Sequence, residues 1–302
     1  MPRRLRIGAR SSPMGQTQAE QVRAALATRY PGITTEIVLV DPSGVTTARK
    51  GRVVSAVEHA LLQGACDVAV RCMKDVPGVP LTPMGTQFAA YLPRGDRREA
   101  LVHRSGLPLD RLLGGTRIGT CSVRRAAHLA RSHPHLLVEP IRGSVDARLA
   151  AVQTDVIEGL IVSASALDYL GQRHQAAEIL GIERICPPLG AAVVGLQCRA
   201  DDTKTIGLLA PLDDERTRRE VTAERLVLRV LRGCCEAPVA GHCTTRPDGR
   251  LSLRGTAFAA DGRRFLHSHQ IGTDPAALGT QVAHELLSSG ARGLLPAPAP
   301  AL

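Results

Sequence analysis

Leu5-Arg6-Ile7-Gly8-Ala9-Arg10-Ser11-Ser12-Pro13, with the helical stretch at 16–29 that follows it, decides the fold class. Leu5-Arg6-Ile7-Gly8 reads as a strand and 16–29 as an amphipathic helix. Residues 35–40 then read as a strand, 53–63 as a helix and 67–70 as a strand. Short apolar runs alternating with helical periodicity give β-α-β-α-β, hence a mostly parallel sheet covered by helices. The Pro- and Gly-rich stretch at 77–85 interrupts that pattern.

A second α/β set follows Arg94-Gly95-Asp96. Arg117-Ile118-Gly119 reads as a strand end, 122–132 as a helix, 136–141 as a strand, 145–152 as a helix and 160–163 as a strand. Pro187-Pro188 marks a crossover, after which 193–198 reads as a strand returning to the first sheet. The last third differs. A helix at 221–230 precedes strand-like runs at 239–244, 251–258 and 264–271, with Asp248-Gly249 and Asp261-Gly262 as hairpin turns and a closing helix at 276–287. The expected fold is α/β: two periplasmic-binding-protein-like α/β domains plus a small C-terminal α+β domain with a three-stranded antiparallel sheet. The expected boundaries are 1–93 with 189–213, then 94–188, then 214–295, and a disordered Ala/Pro tail at 296–302.

The chain of 302 residues has room for two or three domains. Aromatics make up 2% and Trp is absent. The core must be aliphatic, and a single-stranded nucleic-acid platform, which needs stacked rings, is disfavoured. The net charge of +10 carries no run of five or six basic residues. Arginines stand instead at loop and helix starts: Arg10, Arg124, Arg125, Arg142 and Arg148. That placement suits a cleft for several carboxylates, which guanidinium groups grip bidentately. No helix-turn-helix or RNA-binding motif is evident. The 8 cysteines show neither zinc spacing nor a disulfide framework, and no apolar run could cross a membrane. A cytoplasmic chain with reduced thiols is the expectation.

Three motifs carry chemistry. Leu231-Arg232-Gly233-Cys234-Cys235-Glu236-Ala237-Pro238 puts thiols on a loop between a helix and a strand, where a thiolate reaches a ligand rather than a core. Met73-Lys74-Asp75-Val76-Pro77 presents a cation and a carboxylate on a turn. Gly119-Thr120-Cys121-Ser122-Val123-Arg124-Arg125 puts hydroxyls and arginines at a helix N-terminus, a natural carboxylate site. His267 and His269 share a strand face but lack a carboxylate or cysteine partner nearby, and read as exposed surface residues.

Taken in order with Arg142-Gly143-Ser144-Val145-Asp146-Ala147-Arg148 and Val221-Thr222-Ala223-Glu224-Arg225, these motifs make the chain resemble the porphobilinogen deaminase (hydroxymethylbilane synthase) family over nearly its whole length. The resemblance implies a three-domain transferase that deaminates porphobilinogen and condenses four units head to tail on a covalent dipyrromethane. By the same resemblance Cys235 carries that cofactor through a thioether and Asp75 is catalytic, holding pyrrole N–H groups and stabilising the azafulvenium formed when ammonia leaves. Lys74, Ser12, Thr120, Ser122, Arg124, Arg125 and Arg142 are implied to hold the cofactor. Arg10, Arg148 and, by a weaker alignment, Lys50 are implied to hold the substrate. Implied partners are polycarboxylate pyrroles, with no nucleic acid, membrane or metal, and a monomeric chain.

The chain departs from the family pattern near the cleft. Arg71-Cys72 replaces His-Ser, Gly51-Arg52-Val53 replaces Gly-Leu-Phe after a shorter lid, and Gly190-Ala191-Ala192 replaces Gly-Gln-Gly. Tyr169 replaces a binding-site arginine, and Asp146 adds an acid between Arg142 and Arg148. A paralogue with altered substrate or product length, or a non-catalytic two-lobed binder of an anionic ligand, are the other readings.

Overall fold

The structure, a computed structural model, describes residues 4–41, 47–49, 52–78, 85–231 and 237–295, with the side chains of 47–49 and 52–54 left aside. Cys234, Cys235, Lys50 and the 296–302 tail lie outside the described residues.

The chain runs β1 (Leu5–Arg10), α1 (Pro13–Arg29), β2 (Thr35–Val40), a hairpin of β3 (Thr47–Arg49) and β4 (Arg52–Val54), α2 (Ala56–Leu62), β5 (Val68–Cys72) and β6 (Thr86–Tyr91). It crosses to β7 (Glu99–His103), β8 (Arg117–Gly119), α3 (Val123–Ser132), β9 (Leu137–Glu139), α4 (Val145–Gln153), β10 (Gly159–Ser163), α5 (Ala164–Tyr169) and β11 (Ala176–Leu180). It returns through β12 (Val194–Arg199) and α6 (Thr203–Leu209) to α7 (Glu215–Val230), then β13 (Val239–Thr245), β14 (Leu251–Phe258), β15 (Phe265–Gly272) and α8 (Pro275–Ser288).

The first sheet has the order β2-β1-β5-β12-β6 and the second β11-β7-β10-β8-β9. In each, one strand is reversed against the rest. β12 pairs antiparallel with both β5 and β6, and β7 with both β10 and β11. These are the strands that arrive from the other lobe, β7 on the way out and β12 on the way back. The mostly parallel sheet read from the sequence therefore holds by strand direction, and the crossover supplies the exception in each lobe. β5 is covered on both faces: Val68 and Val70 pack with Ala19, Val22 and Leu26 of α1, and Ala69 with Val57 and Leu61 of α2. Two-sided burial explains its unbroken apolar run.

The helix read at 53–63 starts only at Ala56, because Ser55 caps it through Glu58 N–H, and 52–54 belong to the hairpin. β6, β7, β11, α5 and α6 have no counterpart in the elements read from the sequence. In the third lobe β13-β14-β15 is antiparallel as read, and Gly249 and Gly262 take φ of 77° and 72° at the two turns. α7 and α8 cover one face around Val227, Leu253, Val282 and Leu286.

α7 ties the lobes together. Arg94, just before the crossover into the second lobe, is buried between Glu220 (3.3 Å) and Glu224 (2.8 Å) of α7. Glu224 also accepts the N–H of Gly190 (2.7 Å) and of Cys243 (2.7 Å). A charge pair this deep holds only if every lone pair is used, and here the backbone uses the rest.

Candidate functional site

Among the described residues, every expected site residue except Thr120 lines one cleft. A cavity of about 820 Å³ opens between the first two sheets and is lined by Arg10, Ser12, Lys74 and Asp75 on one wall and Ser122, Arg124, Arg125, Arg142 and Arg148 on the other. Ala237 and Val239, which follow Cys235 in the chain, line it from the third lobe. An open concavity of about 920 Å³ beside His267, Gln281 and His284 lies on the third lobe against α8, away from all these groups.

Three helix N-termini reach the cleft, each capped by a serine. Ser12 Oγ accepts Gly15 N–H (3.3 Å), Ser122 Oγ accepts Arg125 N–H (3.4 Å) and Ser144 Oγ accepts Ala147 N–H (3.3 Å). Their free N–H groups and dipoles favour anions. Gly15 is needed at the first of them, since a Cβ would stand 2.4 Å from the Arg10 carbonyl oxygen. Ser144 was quoted in a motif but not singled out; the Gly-Ser step before a helix was its signal. Thr120, expected among the contacts, is 3% exposed behind the wall, and its hydroxyl accepts Ser122 N–H at 3.1 Å.

Asp75 ends the single 3₁₀ turn Met73–Asp75 after β5. Two outside groups hold this turn. Arg225 of α7 donates to the carbonyls of Met73 and Pro77 on either side of Lys74-Asp75-Val76. Gly190, at φ 82°, lies so close that a Cβ there would meet the Met73 carbonyl carbon at 2.8 Å. The carboxylate itself is loosely engaged. Its ion pair is with Arg10 at 3.6 Å, with side-chain exposures of 32% and 47%. Lys74 reaches across the cleft to donate to Ser163 Oγ (3.3 Å), a serine given no role by the family resemblance.

The opposite wall is tightly engaged. Glu99, at the start of β7, is buried and pairs with both Arg124 and Arg125, the latter at 2.7 Å. Burial alone would push Glu99 up; Arg125 and then Arg124 more than offset it and hold the carboxyl at about 2. Arg124 also donates to the Cys186 carbonyl at 2.6 Å. Nothing in the sequence around Glu99 marked it as the partner of two distant arginines. Among the described residues, the buried Nε of Arg125 has no hydrogen-bond partner. Arg142 is exposed, and Arg148, half-buried, is pushed below its ordinary value by burial and by the like charge of Arg125. This wall holds more cations than acids, an arrangement that anions would complete.

A dipyrromethane bearing acetate and propionate groups fits these donors: the cleft is large, polyvalent and cationic, with an unused buried Arg125 N–H and three capped helix ends. Tyr169 does not line this cavity; it packs against the first lobe's core and hydrogen-bonds Gln18. His267 and His269 are exposed, bonded to Thr256 and Ser252, and no cluster of three metal-ligating side chains occurs among the described residues. No described helix is long and apolar enough to cross a membrane.

Comparison with known proteins agrees in extent and order. The family signature "Porphobilinogen deaminase, dipyromethane cofactor binding domain" matches residues 5–207 and "Porphobilinogen deaminase, C-terminal domain" matches 218–288. The chain is 45% identical to Porphobilinogen deaminase 2 of Streptomyces coelicolor, over 97% of each chain. It is 41% identical to the porphobilinogen deaminase of Acidithiobacillus ferrooxidans, over 98% of each. Among solved structures, a periplasmic substrate-binding protein of an ABC transporter from Coxiella burnetii is similar at 14% identity and a TM-score of 0.46, covering 73% of this chain and 96% of that one.

Proposed function

The chain belongs to the porphobilinogen deaminase family, and from that premise we propose how its residues divide the work. It is a transferase that deaminates porphobilinogen and condenses four units head to tail to hydroxymethylbilane, with dipyrromethane as its cofactor. The observation that carries the division of roles is the facing of a loosely paired Asp75 by a wall of fixed cations across one cleft.

The bound dipyrromethane supplies the free pyrrole α-carbon to which the first substrate unit is joined. Cys235 holds it by a thioether, a link that resists hydrolysis. Arg125, Arg142, Ser122 and Lys74 take its carboxylates, with Arg124 behind them fixing Glu99 and hence Arg125. Arg10 and Arg148 take the carboxylates of the incoming pyrrole. Asp75, half-exposed and free of short hydrogen bonds among the described residues, accepts substrate pyrrole N–H groups and holds the positive charge that develops as ammonia departs. The same carboxylate then takes the proton released when the new bond forms. Its loose pairing with Arg10 matters, since a carboxylate already locked in a bidentate bridge would have no lone pair to offer.

The three lobes cohere through α7 without a partner chain, which supports a monomer. The scattered cysteines, lacking a disulfide framework, support a reducing cytoplasm. The boundaries 1–93 with 189–213, 94–188 and 214–295 follow the crossovers and are proposed as the domain limits.

Intact mass of the purified protein tests the assignment. An adduct of dipyrromethane mass is expected, lost in Cys235→Ser and kept in Cys234→Ser. A bare chain would favour the two-lobed binder, and an adduct that follows Cys234 would move the anchor by one residue.

A further inference from the structure

We infer that Arg71 is a positioning residue for this reaction, its buried guanidinium backing the Asp75 carboxylate from beneath the first sheet. Arg71 ends four residues before Asp75, on β5, and is 6% exposed. It is held from two sides. Glu58 of α2 pairs with it at 3.5 Å, and it donates to Gln197 Oε1 of β12 at 3.3 Å. Gln197 in turn donates to Glu58 Oε1 (3.0 Å) and to Thr86 Oγ1 of β6 (2.9 Å). Glu58 and Gln197 are 2% and 0% exposed. A cation tied to α2, β12 and β6 cannot swing, and removing it from water is costly enough that a surface substitute would be easier to accommodate.

What it faces gives the role. Arg71, Asp75, Arg10, Ser12, Gln18 and Cys72 line one void of about 20 Å³, room for about one water. Burial, with Arg10 adding like charge, pushes Arg71 below its ordinary value, while Glu58 and, less strongly, Asp75 draw it back up. Asp75 thus lies between two cations of different kind. Arg10 stands on the cleft side, 47% exposed and free to turn to a ligand carboxylate. Arg71 stands on the sheet side, where no ligand reaches. The other charged groups around Asp75 are Lys74 on its own turn and, across the cleft, Arg125, Arg142, Arg148 and Asp146, all of which line the ligand space. When substrate recruits Arg10, the rear cation still faces the carboxylate across the void.

The inference rests on Asp75 as the reacting carboxylate, and the experiment separates the two. Steady-state kinetics are measured on cofactor-loaded Arg71→Met, Arg71→Lys, Asp75→Asn and the double variant Arg71→Met/Glu58→Leu. The double variant guards against misfolding, because Arg71→Met alone takes one charge partner from a buried Glu58, whereas an apolar pair in place of an ion pair usually keeps a fold. Arg71→Met and the double variant are expected to lose roughly tenfold to a hundredfold in kcat, as for a reacting group displaced by about 1 Å, with KM nearly unchanged. Arg71→Lys should recover most of that loss. A folded, loaded double variant with the parent kcat, or a loss that appears in KM instead, overturns the role of Arg71. An active Asp75→Asn overturns the assignment of Asp75 itself.

Discussion

The two walls of the cleft carry opposite kinds of charge pair. On the first lobe, Asp75 and Arg10 stand half in solvent at 3.6 Å. On the second, Arg124 and Arg125 converge on a Glu99 that is 1% exposed. A pair in water is worth little and yields readily, whereas a desolvated pair is rigid and expensive to break. The difference separates labour: one wall stays free to react, the other is built to hold a charge pattern still. A substrate chain that grows more anionic with each added pyrrole needs both.

Asp75→Asn tests the reactive wall and has the largest expected effect. The amide cannot balance a developing cation, and turnover should fall about 10² to 10³-fold, on the scale of removing one preorganised electrostatic group. Thermal stability should stay near the parent, because the pair it breaks is exposed. A large loss of stability with intact turnover would put Asp75 among the structural acids and erase the contrast.

Within the second wall the arginines should divide. Arg124→Leu leaves Glu99 buried with one partner and should cost about 3–5 kcal/mol of folding free energy. Arg142→Leu, at an exposed position, should stay within about 0.5 kcal/mol, yet stall elongation in mass spectra of enzyme–intermediate complexes. Equal effects of the two on stability would show that burial does not sort these arginines.

The smallest effect concerns the seam behind that wall. His128 lies on α3 one turn after Arg124, packed on Phe265 with ring centroids 5.1 Å apart. Burial, with Arg124 and Arg131 adding like charge, pushes its imidazole down to about 4. The unfolded chain titrates near 6.5. The stability that the neutral ring contributes is therefore complete above about pH 6.5 and is lost as pH falls through about 4. His128→Phe should flatten the decline of stability over that window by about 1–3 kcal/mol, as read by urea denaturation at stepped pH. His242, also pushed down to about 4 by burial, keeps its own share of the slope in both proteins. An unchanged slope would mean that His128 reaches solvent in the folded state.

Local chemistry was enough to read much of this molecule. The alternation in 5–70 set the α/β class, the two Asp-Gly steps placed the third lobe's hairpins, and the Thr-Cys-Ser step before the helix at 122–132 located one of the three anion-facing helix ends. The collinear motifs named Asp75 and the five arginines, and all six line one cleft. Such signals are legible because caps, turns and periodicity depend on residues a few positions apart. What the sequence left unread depends on partners far along the chain. Glu99 is bound to arginines some 25 positions on, Arg225 holds a turn 150 positions back, and Arg71 meets Gln197 only because the chain crosses to the second lobe and returns as β12. The reversed strand in each sheet and the sorting of like arginines into fixed and free have the same origin. Burial decides both a strand's neighbours and a charge's worth, and burial exists only once the lobes have closed on one another.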